Sequence, residues 1–302
     1  MTSTDFLEVD ALDPARLAAL LHQAVEWKRA PGQIPNRFGG QGIAMVFEKP
    51  SARTRTSTEM DAATLGAHPV YLRGDEVGIG TRETIEDIAR TLVSYCTILC
   101  ARVFDHATLE AMARAVDAPV VNLLSDREHP CQALADLLTL QELLGDLDGR
   151  RVAYVGDGNN VAASLAFGAA LCGLELTIAS PAEYTLHDDV VERARNLGGA
   201  IETTTDPYEA VRGVDAVYTD VWTSMGQEQE RDQRLAAFAG YTVDQKLMDA
   251  ASPDAHFLHC LPAHRGEEVS AEVIDGPQSA VWQQTANRMH ATRALLADLG
   301  GR

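Results

Sequence analysis

Long apolar stretches are missing from this sequence of 302 residues: no run of 18 consecutive apolar residues occurs in it. A helix that crosses a membrane needs roughly 20 such residues, so a membrane-spanning protein is not expected. Met1 leads into Thr-Ser-Thr-Asp rather than into a basic segment followed by an apolar stretch. A signal or transit peptide is therefore not expected either, and the sequence predicts a soluble cytoplasmic protein.

Cysteine pairs of the CxxC type are also absent. The five cysteines are spread along the chain at Cys96, Cys100, Cys131, Cys172 and Cys260, and two of them lie in apolar segments. Scattered cysteines of this kind are typical of a reducing compartment, so no structural disulfide is expected.

Lysine is scarce, with only Lys28, Lys49 and Lys246, so that arginine supplies the other positive charges. Acidic residues outnumber basic ones by 44 to 25, which gives a formal net charge of −19. This balance argues against a nucleic-acid partner, because phosphate contacts need a basic face. Two interpretations remain open. One is an ordinary acidic enzyme; the other, which we favour, is a halophilic enzyme whose carboxylates hydrate the surface while salt screens their repulsion.

Short apolar runs alternate with helix-like stretches in the first half of the chain. Continuous rather than alternating apolar runs are typical of strands that are buried on both faces in a parallel sheet. The candidate strands are Ile43–Phe47, Pro69–Leu72, Thr97–Ala101 and Val120–Leu124, and Cys131–Leu144 is a candidate helix with leucines at helical spacing.

A second series of strands and helices begins near residue 146. Its candidate strands are Arg151–Val155, Glu175–Ala179, Ala216–Thr219 and His256–Leu258, and its candidate helices are Val161–Cys172 and His187–Leu197. The sequence therefore predicts an α/β protein with two doubly wound parallel-sheet domains. Residues 1–145 are predicted to form the first domain and 146–285 the second. The closing segment 286–302, with the helix Ala286–Leu299, is predicted to return to the first domain.

Polar residues gather where these strands end, which is where open α/β sheets bind their ligands. After the first strand, Ser51 and Thr54 offer hydroxyls, and Arg53 and Arg55 offer guanidinium groups, at the start of a helix. Free N–H groups, the positive end of the helix and the guanidinium forks favour a phosphate site. From these residues alone, a capped helix with solvated arginines remains an equal alternative.

The segment Ser125–Gln132 follows the fourth strand in the same manner. His129 can donate a hydrogen bond to a carbonyl oxygen, and the side-chain carbonyl of Gln132 can accept one from an amide NH₂ group. Taken alone, a capping turn with an incidental histidine is the more frequent reason for such a segment.

The later strands end in a different set of polar residues. Gly156–Asn160 resembles part of a dinucleotide fingerprint but lacks the third glycine, so an NAD-dependent oxidoreductase is a weak alternative. Asn160 suits a ligand carboxylate, Asp220 a cationic amine, and the Ser224–Gly226 loop the rest of an amino acid. The alternatives are a turn-forming asparagine and an ordinary exposed loop. The His and Cys spacing in His259–Gly266 matches no usual zinc pattern, so no metal is expected.

Together these segments resemble the ornithine carbamoyltransferase family over nearly the whole chain and in the same linear order. Ser51 through Arg55 resembles the family's Ser-Thr-Arg-Thr-Arg loop for carbamoyl phosphate, and His129 through Gln132 matches its His-Pro-x-Gln segment. Asp220 through Gly226 matches Asp-x-x-x-Ser-Met-Gly, and His259 through Pro262 matches His-Cys-Leu-Pro. The last two motifs distinguish the ornithine branch of the family.

The resemblance implies an enzyme of arginine metabolism that makes citrulline and phosphate from carbamoyl phosphate and ornithine, without a cofactor. Its implied carbamoyl-phosphate residues are Ser51, Ala52, Arg53, Thr54, Arg102, His129, Gln132, Cys260, Leu261 and Arg288. Its implied ornithine residues are Asn160, Asp220, Ser224 and Met225, and its implied catalytic residues are Arg53, Arg102, His129 and Cys260. The family usually assembles trimers, so a homotrimer or a multiple of trimers is expected.

Two positions depart from the family pattern. Ala52 replaces the usual Thr and so lacks a hydroxyl, although its backbone N–H can still serve the phosphate. Gly78 stands where many relatives carry a Gln that reaches the site of a neighbouring subunit. Phosphate affinity and the contribution of that loop to a neighbouring site are therefore in question.

The expected reaction is direct attack of the neutral δ-amine on the carbamoyl carbon, with Arg102, His129 and Thr54 stabilising the oxyanion. Arg53 and Arg55 would stabilise the departing phosphate. A covalent role for Cys260 is less expected, because the sequence gives it no evident His–acid pair.

A different amine acceptor, such as putrescine or aspartate, remains open. A noncatalytic amino-acid-binding protein and the direction of the reaction in the cell are also open.

Overall fold

The computed structural model describes residues 5–79, 82–224 and 226–300. The chain divides into two compact units, the first being Met1–Leu138 with Asn287–Arg302 and the second Thr139–Ala286. Each unit contains one parallel sheet, so the predicted α/β class with two parallel-sheet domains is confirmed. Within the residues described, no helix is both long and apolar enough to cross a membrane.

The first unit is built on a sheet of four parallel strands. They are Gly42–Phe47 (β1), His68–Arg73 (β2), Cys96–Arg102 (β3) and Val120–Leu124 (β4), in the spatial order β2-β1-β3-β4. Nearly all side chains of the two central strands β1 and β3 are buried, as their continuous apolar sequences predict. β2 is an edge strand, which accommodates Pro69, because proline has no N–H to donate within a sheet.

Helices precede, connect and follow these strands. They are Pro14–Arg29 (α1), Ala52–Thr64 (α2), Gly74–Val77 (α3), Ile85–Val93 (α4), His106–Ala115 (α5) and Pro130–Leu144 (α6), with short 3₁₀ helices at Val9–Ala11 and Pro31–Gln33. Several of them begin at a side chain that accepts a backbone N–H, namely Asp13, Ser51, Thr84 and Asp105.

The second unit contains a sheet of five parallel strands. They are Arg151–Val155 (β5), Glu175–Ala179 (β6), Ala200–Thr204 (β7), Ala216–Thr219 (β8) and His256–His259 (β9), in the order β7-β6-β5-β8-β9. The sequence did not predict β7. It is an edge strand in which only Ile201 is fully buried, so it has no continuous apolar run.

The helices of the second unit are Asn160–Cys172 (α7), Asp188–Asn196 (α8), Pro207–Ala210 (α9), Arg231–Ala237 (α10), Gln245–Met248 (α11) and Ala271–Ile274 (α12), with a 3₁₀ helix at Glu228–Glu230. α7 is buried along almost its whole length, because its sequence is almost entirely apolar. An aromatic cluster fills one side of the core, where the ring of Phe238 stacks on Trp222 with centroids 5.3 Å apart. Tyr184 and Tyr241 pack against the same ring.

The last helix, Val281–Leu299 (α13), begins at Val281 rather than at Ala286 as predicted. From Asn287 onward it belongs to the first unit. Arg16 pairs with Asp298 at 2.7 Å, and Lys28 Nζ donates to Asn287 Oδ1 at 2.8 Å. The prediction that the C-terminal helix returns to the first domain is therefore confirmed.

Candidate active site

A polar site lies at the carboxyl edge of the first sheet, where α2 begins shortly after β1. Ser51 caps this helix, since its Oγ accepts the N–H of Thr54 at 3.2 Å. The two hydroxyls also contact each other at 3.1 Å. Ala52 is the first residue of α2, and the first N–H groups of a helix have no partner inside the helix. This helix end therefore offers an anion N–H groups and the positive end of the helix dipole.

Arg288 connects this helix end with α6. Its Nη2 donates to Thr54 Oγ1 at 3.0 Å, and its Nη1 donates to the side-chain oxygen of Gln132. All three side chains are buried. Residues that are far apart in sequence thus form one hydrogen-bonded group, and a buried guanidinium lies at its centre.

His129 is buried among three arginines. Burial lowers the pKa of its ring well below the usual 6.5, and the positive charges of Arg288, Arg102 and Arg53 lower it further. The imidazole is therefore neutral near pH 7 and keeps one N–H to donate. Three guanidinium groups around a neutral ring form a strongly electropositive site, which suits a phosphorylated ligand with a carbonyl oxygen.

A layer of charged residues supports these groups from behind. Arg293 Nε lies 3.1 Å from Asp61 Oδ1, with both side chains buried. Burial raises the pKa of Asp61 well above its usual value, although Arg293 and Arg288 oppose this shift. Asp136 accepts a hydrogen bond from Gln132 Nε2 at 2.6 Å. Sequence reasoning missed these partners, because nothing in the spacing of the motifs shows which acid faces which arginine.

A second polar site lies in the second unit, at the carboxyl ends of β5, β8 and β9. Asp220 is buried there, and its Oδ2 accepts from Asn159 Nδ2 at 2.9 Å. Its Oδ1 accepts from the thiol of Cys260 at 3.0 Å. An ionised carboxylate has about four lone-pair positions, so two donors leave room for an ammonium group.

The sequence predicted Asn160 as the ligand-binding asparagine of this segment, and the structure gives the neighbouring Asn159 a role as well. Asn159 Oδ1 caps α7 by accepting from the N–H groups of Val161 and Ala162, at 2.9 and 3.2 Å. Its amide NH₂ then holds Asp220. Asn160 is half-buried in the first turn of α7, and its contact with a ligand stays a prediction.

The loop after Asp220 is fastened by Arg234. The guanidinium of this buried side chain donates from Nη1 to the carbonyl oxygen of Trp222 at 3.0 Å and to Asp157 Oδ2 at 2.9 Å. Within the loop, the N–H of Ser224 donates to Gln227 Oε1 at 3.1 Å. The predicted ligand residue Met225 lies outside the residues that the structure describes.

His259 acts on the backbone of its own motif. Its Nδ1 accepts the N–H of Leu261 at 2.9 Å, and its Nε2 faces Glu268 Oε1 at 3.2 Å. The ring proton therefore lies on Nε2, and Glu268 orients the ring. Leu261 has a φ of 60°, a left-handed conformation that is unusual for a leucine and that the hydrogen bond to His259 helps to hold. This arrangement also presents the Cys260 thiol to Asp220.

The structure also describes three other residues that the sequence analysis singled out. Arg55 pairs with Glu59 at 2.9 Å and lies over the ring of Tyr71, so its predicted role on the departing phosphate has no support from these contacts. Ala52 is exposed at the helix start. Gly78 ends α3 with a φ of 69°, a conformation that glycine adopts without a steric penalty.

Among the described residues, three groups of side chains have the donor atoms for a metal ion within 4.8 Å of one another. They are Asp220 with His259 and Cys260, His264 with Glu267 and Glu268, and Glu8 with Asp10 and Glu128. In the first group, both ring nitrogens of His259 are already engaged by Leu261 and Glu268. In the second, Glu267 pairs with Arg231. These contacts compete with metal binding in the first two groups.

Comparison with known proteins agrees with this pair of sites. Residues 4–142 match the family model "Aspartate/ornithine carbamoyltransferase, carbamoyl-P binding domain", and residues 148–299 match "Aspartate/ornithine carbamoyltransferase, Asp/Orn binding domain". The two matches define the class of the protein, which is a carbamoyltransferase.

Individual relatives define the branch of the carbamoyltransferases to which the chain belongs. An ornithine carbamoyltransferase of Methanoculleus marisnigri is 48% identical over 98% of this chain and 96% of its own. The solved ornithine carbamoyltransferase of Pyrococcus furiosus has a TM-score of 0.93 at 43% identity, covering 97% of this chain and 96% of that one. A solved N-acetyl-L-ornithine transcarbamylase has a TM-score of 0.88 at 30% identity, covering 98% and 99%. The chain belongs to the ornithine carbamoyltransferase family.

Proposed function

We propose that the protein transfers the carbamoyl group of carbamoyl phosphate to the δ-amine of L-ornithine, which gives L-citrulline and phosphate. The observation that carries this proposal is the buried His129 among Arg53, Arg102 and Arg288, whose positive charges lower the pKa of its ring together with burial. Residues 1–145 with 286–302 are proposed to bind carbamoyl phosphate, and residues 146–285 to bind ornithine.

The donor is proposed to bind at the start of α2. The Ser51 hydroxyl, the N–H of Ala52 and the guanidinium of Arg53 take the phosphate oxygens. Arg102, His129 and Thr54 donate to the carbonyl oxygen and stabilise the negative charge that develops on it. Gln132 and Arg288 complete the donor site, with the Gln132 carbonyl accepting from the carbamoyl NH₂ group.

The acceptor is proposed to bind at Asp220. This carboxylate and the Cys260 thiol orient an amine of ornithine, while Asn160, Ser224 and Met225 contact the rest of the amino acid. A buried carboxylate next to hydrogen-bond donors favours a cationic or polarised amine over a neutral apolar group. The backbone of Leu261 contacts the carbamoyl group of the donor.

The chemical step is proposed to be a direct displacement. The lone pair of the neutral δ-amine forms the new C–N bond, the C–O bond to phosphate breaks, and a phosphate oxygen takes the proton from nitrogen. Free primary amines titrate near pH 10, so binding has to lower the pKa of the ornithine amine. Holding the two reactants in position supplies a large part of the rate, because oriented groups react at very high effective concentration. The step needs no cofactor and no covalent intermediate.

The choice of acceptor is tested by comparing four amines with the purified protein and carbamoyl phosphate. These are L-ornithine, N-acetyl-L-ornithine, putrescine and L-aspartate, chosen because a solved relative is named for the acetylated substrate. The proposal expects L-ornithine to give the highest kcat/KM, with product formation at the δ-nitrogen. Preference for any of the other three amines would reject ornithine as the substrate.

The surroundings of the enzyme are part of the proposal. We expect a cytoplasmic enzyme of arginine metabolism, a homotrimer or a multiple of trimers, and adaptation to a salt-rich interior. Light scattering on the purified protein measures its oligomeric state. A monomer at working concentration would contradict the expected trimer.

A further inference from the structure

Asp136 is a fully buried acid that the proposed reaction does not use. It lies on α6 one helical turn after Gln132, and its Oδ1 accepts a hydrogen bond from Gln132 Nε2 at 2.6 Å. A buried carboxylate is costly, so its position against an amide of the donor site calls for a physical reason.

The Gln132 amide is held by two hydrogen bonds, one to an acceptor and one from a donor. An ionised carboxylate only accepts hydrogen bonds and a guanidinium only donates them. The NH₂ end of the amide therefore faces Asp136, and the oxygen faces Arg288. A flipped amide would set its oxygen against the carboxylate and its NH₂ group against the guanidinium, which loses both hydrogen bonds.

This orientation leaves one hydrogen-bonding position on the amide oxygen. A carbonyl oxygen has two lone pairs, and Arg288 uses one of them. Among the described residues, no second donor reaches this oxygen. The remaining lone pair thus offers an acceptor beside the group formed by Arg288 and Thr54.

We propose that Asp136 is a positioning residue that sets donor selectivity: it holds the Gln132 amide so that its oxygen favours an acyl phosphate with an NH₂ group on the acyl carbon over one with a methyl group. The inference rests on the proposed function, because it takes carbamoyl phosphate as the donor. Asp136 touches no reacting atom and acts on the donor through its hydrogen bond with Gln132.

A purely structural role for Asp136 makes a different prediction. If the carboxylate only balances the charge of nearby arginines, its removal disturbs the whole anion site. The affinities for all acyl phosphates then fall together. Selective loss for the donor with the NH₂ group is the signature of the proposed role.

The test measures the dissociation constants of carbamoyl phosphate and acetyl phosphate by calorimetry, using the full-length protein. Acetyl phosphate keeps the phosphate and the carbonyl oxygen and carries a methyl group in place of the NH₂ group. Asp136→Leu removes the acceptor at similar volume, and Asp136→Ala removes it with a smaller side chain if the leucine variant does not fold. Asp136→Asn keeps an oxygen that can accept from Gln132.

The wild-type protein is expected to prefer carbamoyl phosphate. Asp136→Leu and Asp136→Ala should reduce that preference on the order of tenfold, the equivalent of about one hydrogen bond, while acetyl phosphate affinity changes little. Asp136→Asn should retain most of the preference. Adding Asp136→Leu to Gln132→Met should cause no further loss of selectivity beyond that of Gln132→Met alone, because both act through one amide.

Two results would overturn the inference. One is an unchanged preference in both Asp136→Leu and Asp136→Ala, and the other is an equal loss of affinity for the two acyl phosphates. A wild-type protein that does not bind carbamoyl phosphate would instead reject the proposed function itself, so the two failures are distinguishable.

Discussion

Single residues of the donor site owe their properties to burial and to the charges around them. His129 is the clearest example, because burial and three guanidinium groups all disfavour its protonated form. From the sequence, its position after the fourth strand indicated a polar segment but not the protonation state of the ring. The contact of Arg288 with Thr54 joins residues 234 positions apart, and only the resemblance to a family placed Arg288 in the site before the fold was known.

His129 is predicted to remain unprotonated in the pH range where histidines usually titrate. Below about pH 6.5 an unfolded histidine binds a proton that the folded ring does not bind. This residue therefore makes the folded protein less stable as the pH falls through that range. NMR of ¹⁵N-labelled histidine, with His129→Asn for assignment, should show a neutral ring between pH 8 and pH 6. A titration midpoint near 6.5 would contradict the proposed environment.

Arg53 is predicted to stabilise the transition state through the phosphate. Arg53→Ala should lower kcat/KM for carbamoyl phosphate by roughly 10²-fold or more, the scale of one charged donor at a developing anion. The matched control is Arg114→Ala, an exposed arginine of α5 that pairs with Glu110. Steady-state kinetics of both variants decide the matter. Equal, small effects of the two substitutions would remove Arg53 from the site.

At the scale of elements, most strands could be predicted, because the buried strands of a parallel sheet are continuous apolar runs. β7 could not, since its Glu-Thr-Thr sequence at the sheet edge resembles a loop. The ends of β1, β4, β5, β8 and β9 were correctly identified as places where polar residues gather. What the sequence could not supply was how the loops are fastened, as the contacts of Arg234 show, because that residue is 77 positions away from Asp157.

The Arg234–Asp157 pair is predicted to stabilise the loop after Asp220 in a pH-dependent manner. Burial raises the pKa of Asp157 to about 6, and Arg234 opposes that shift. Arg234→Leu leaves this carboxylate buried without its partner, which should cost roughly 3 kcal/mol of unfolding free energy at pH 8. The cost should shrink at pH 5, because the unpaired Asp157, with its pKa raised further, is then protonated in the folded state.

Urea unfolding of the wild type and variants at both pH values measures this difference. Arg231→Leu is the matched control, since Arg231 lies on the same helix but its ion pair with Glu267 is exposed. That substitution should cost less than about 1 kcal/mol. The KM for ornithine should also rise in Arg234→Leu, because the loop that carries Ser224 loses an anchor. A cost that is the same at pH 5 and pH 8 would exclude Asp157 as the titrating group.

The whole molecule is marked by its formal charge of −19. At low ionic strength this charge repels itself, and added salt shortens the range of that repulsion from roughly 10 Å at 0.1 M to about 3 Å at 1 M. The composition alone gives this net charge, because counting charged residues needs no knowledge of the fold.

The salt response is predicted to follow from this charge. The midpoint of thermal unfolding and the specific activity should both rise as KCl is increased from about 0.1 M to the molar range. Sucrose at matched concentrations is the control, because it adds no ions. It separates the screening of protein charges by KCl from the stabilisation by solutes that are excluded from the protein surface. No gain in either property with KCl would show that the acidic surface is not an adaptation to salt.

Transfer of the carbamoyl group between the two substrates can be followed in a single experiment. The purified protein is mixed with ¹³C-labelled carbamoyl phosphate and L-ornithine, and product and phosphate are followed together by NMR. Direct transfer should place the label in the ureido carbon of citrulline with one phosphate released per citrulline, and Arg53→Ala should slow both equally. Phosphate release without citrulline, or label that remains on Cys260, would contradict direct transfer to the δ-amine.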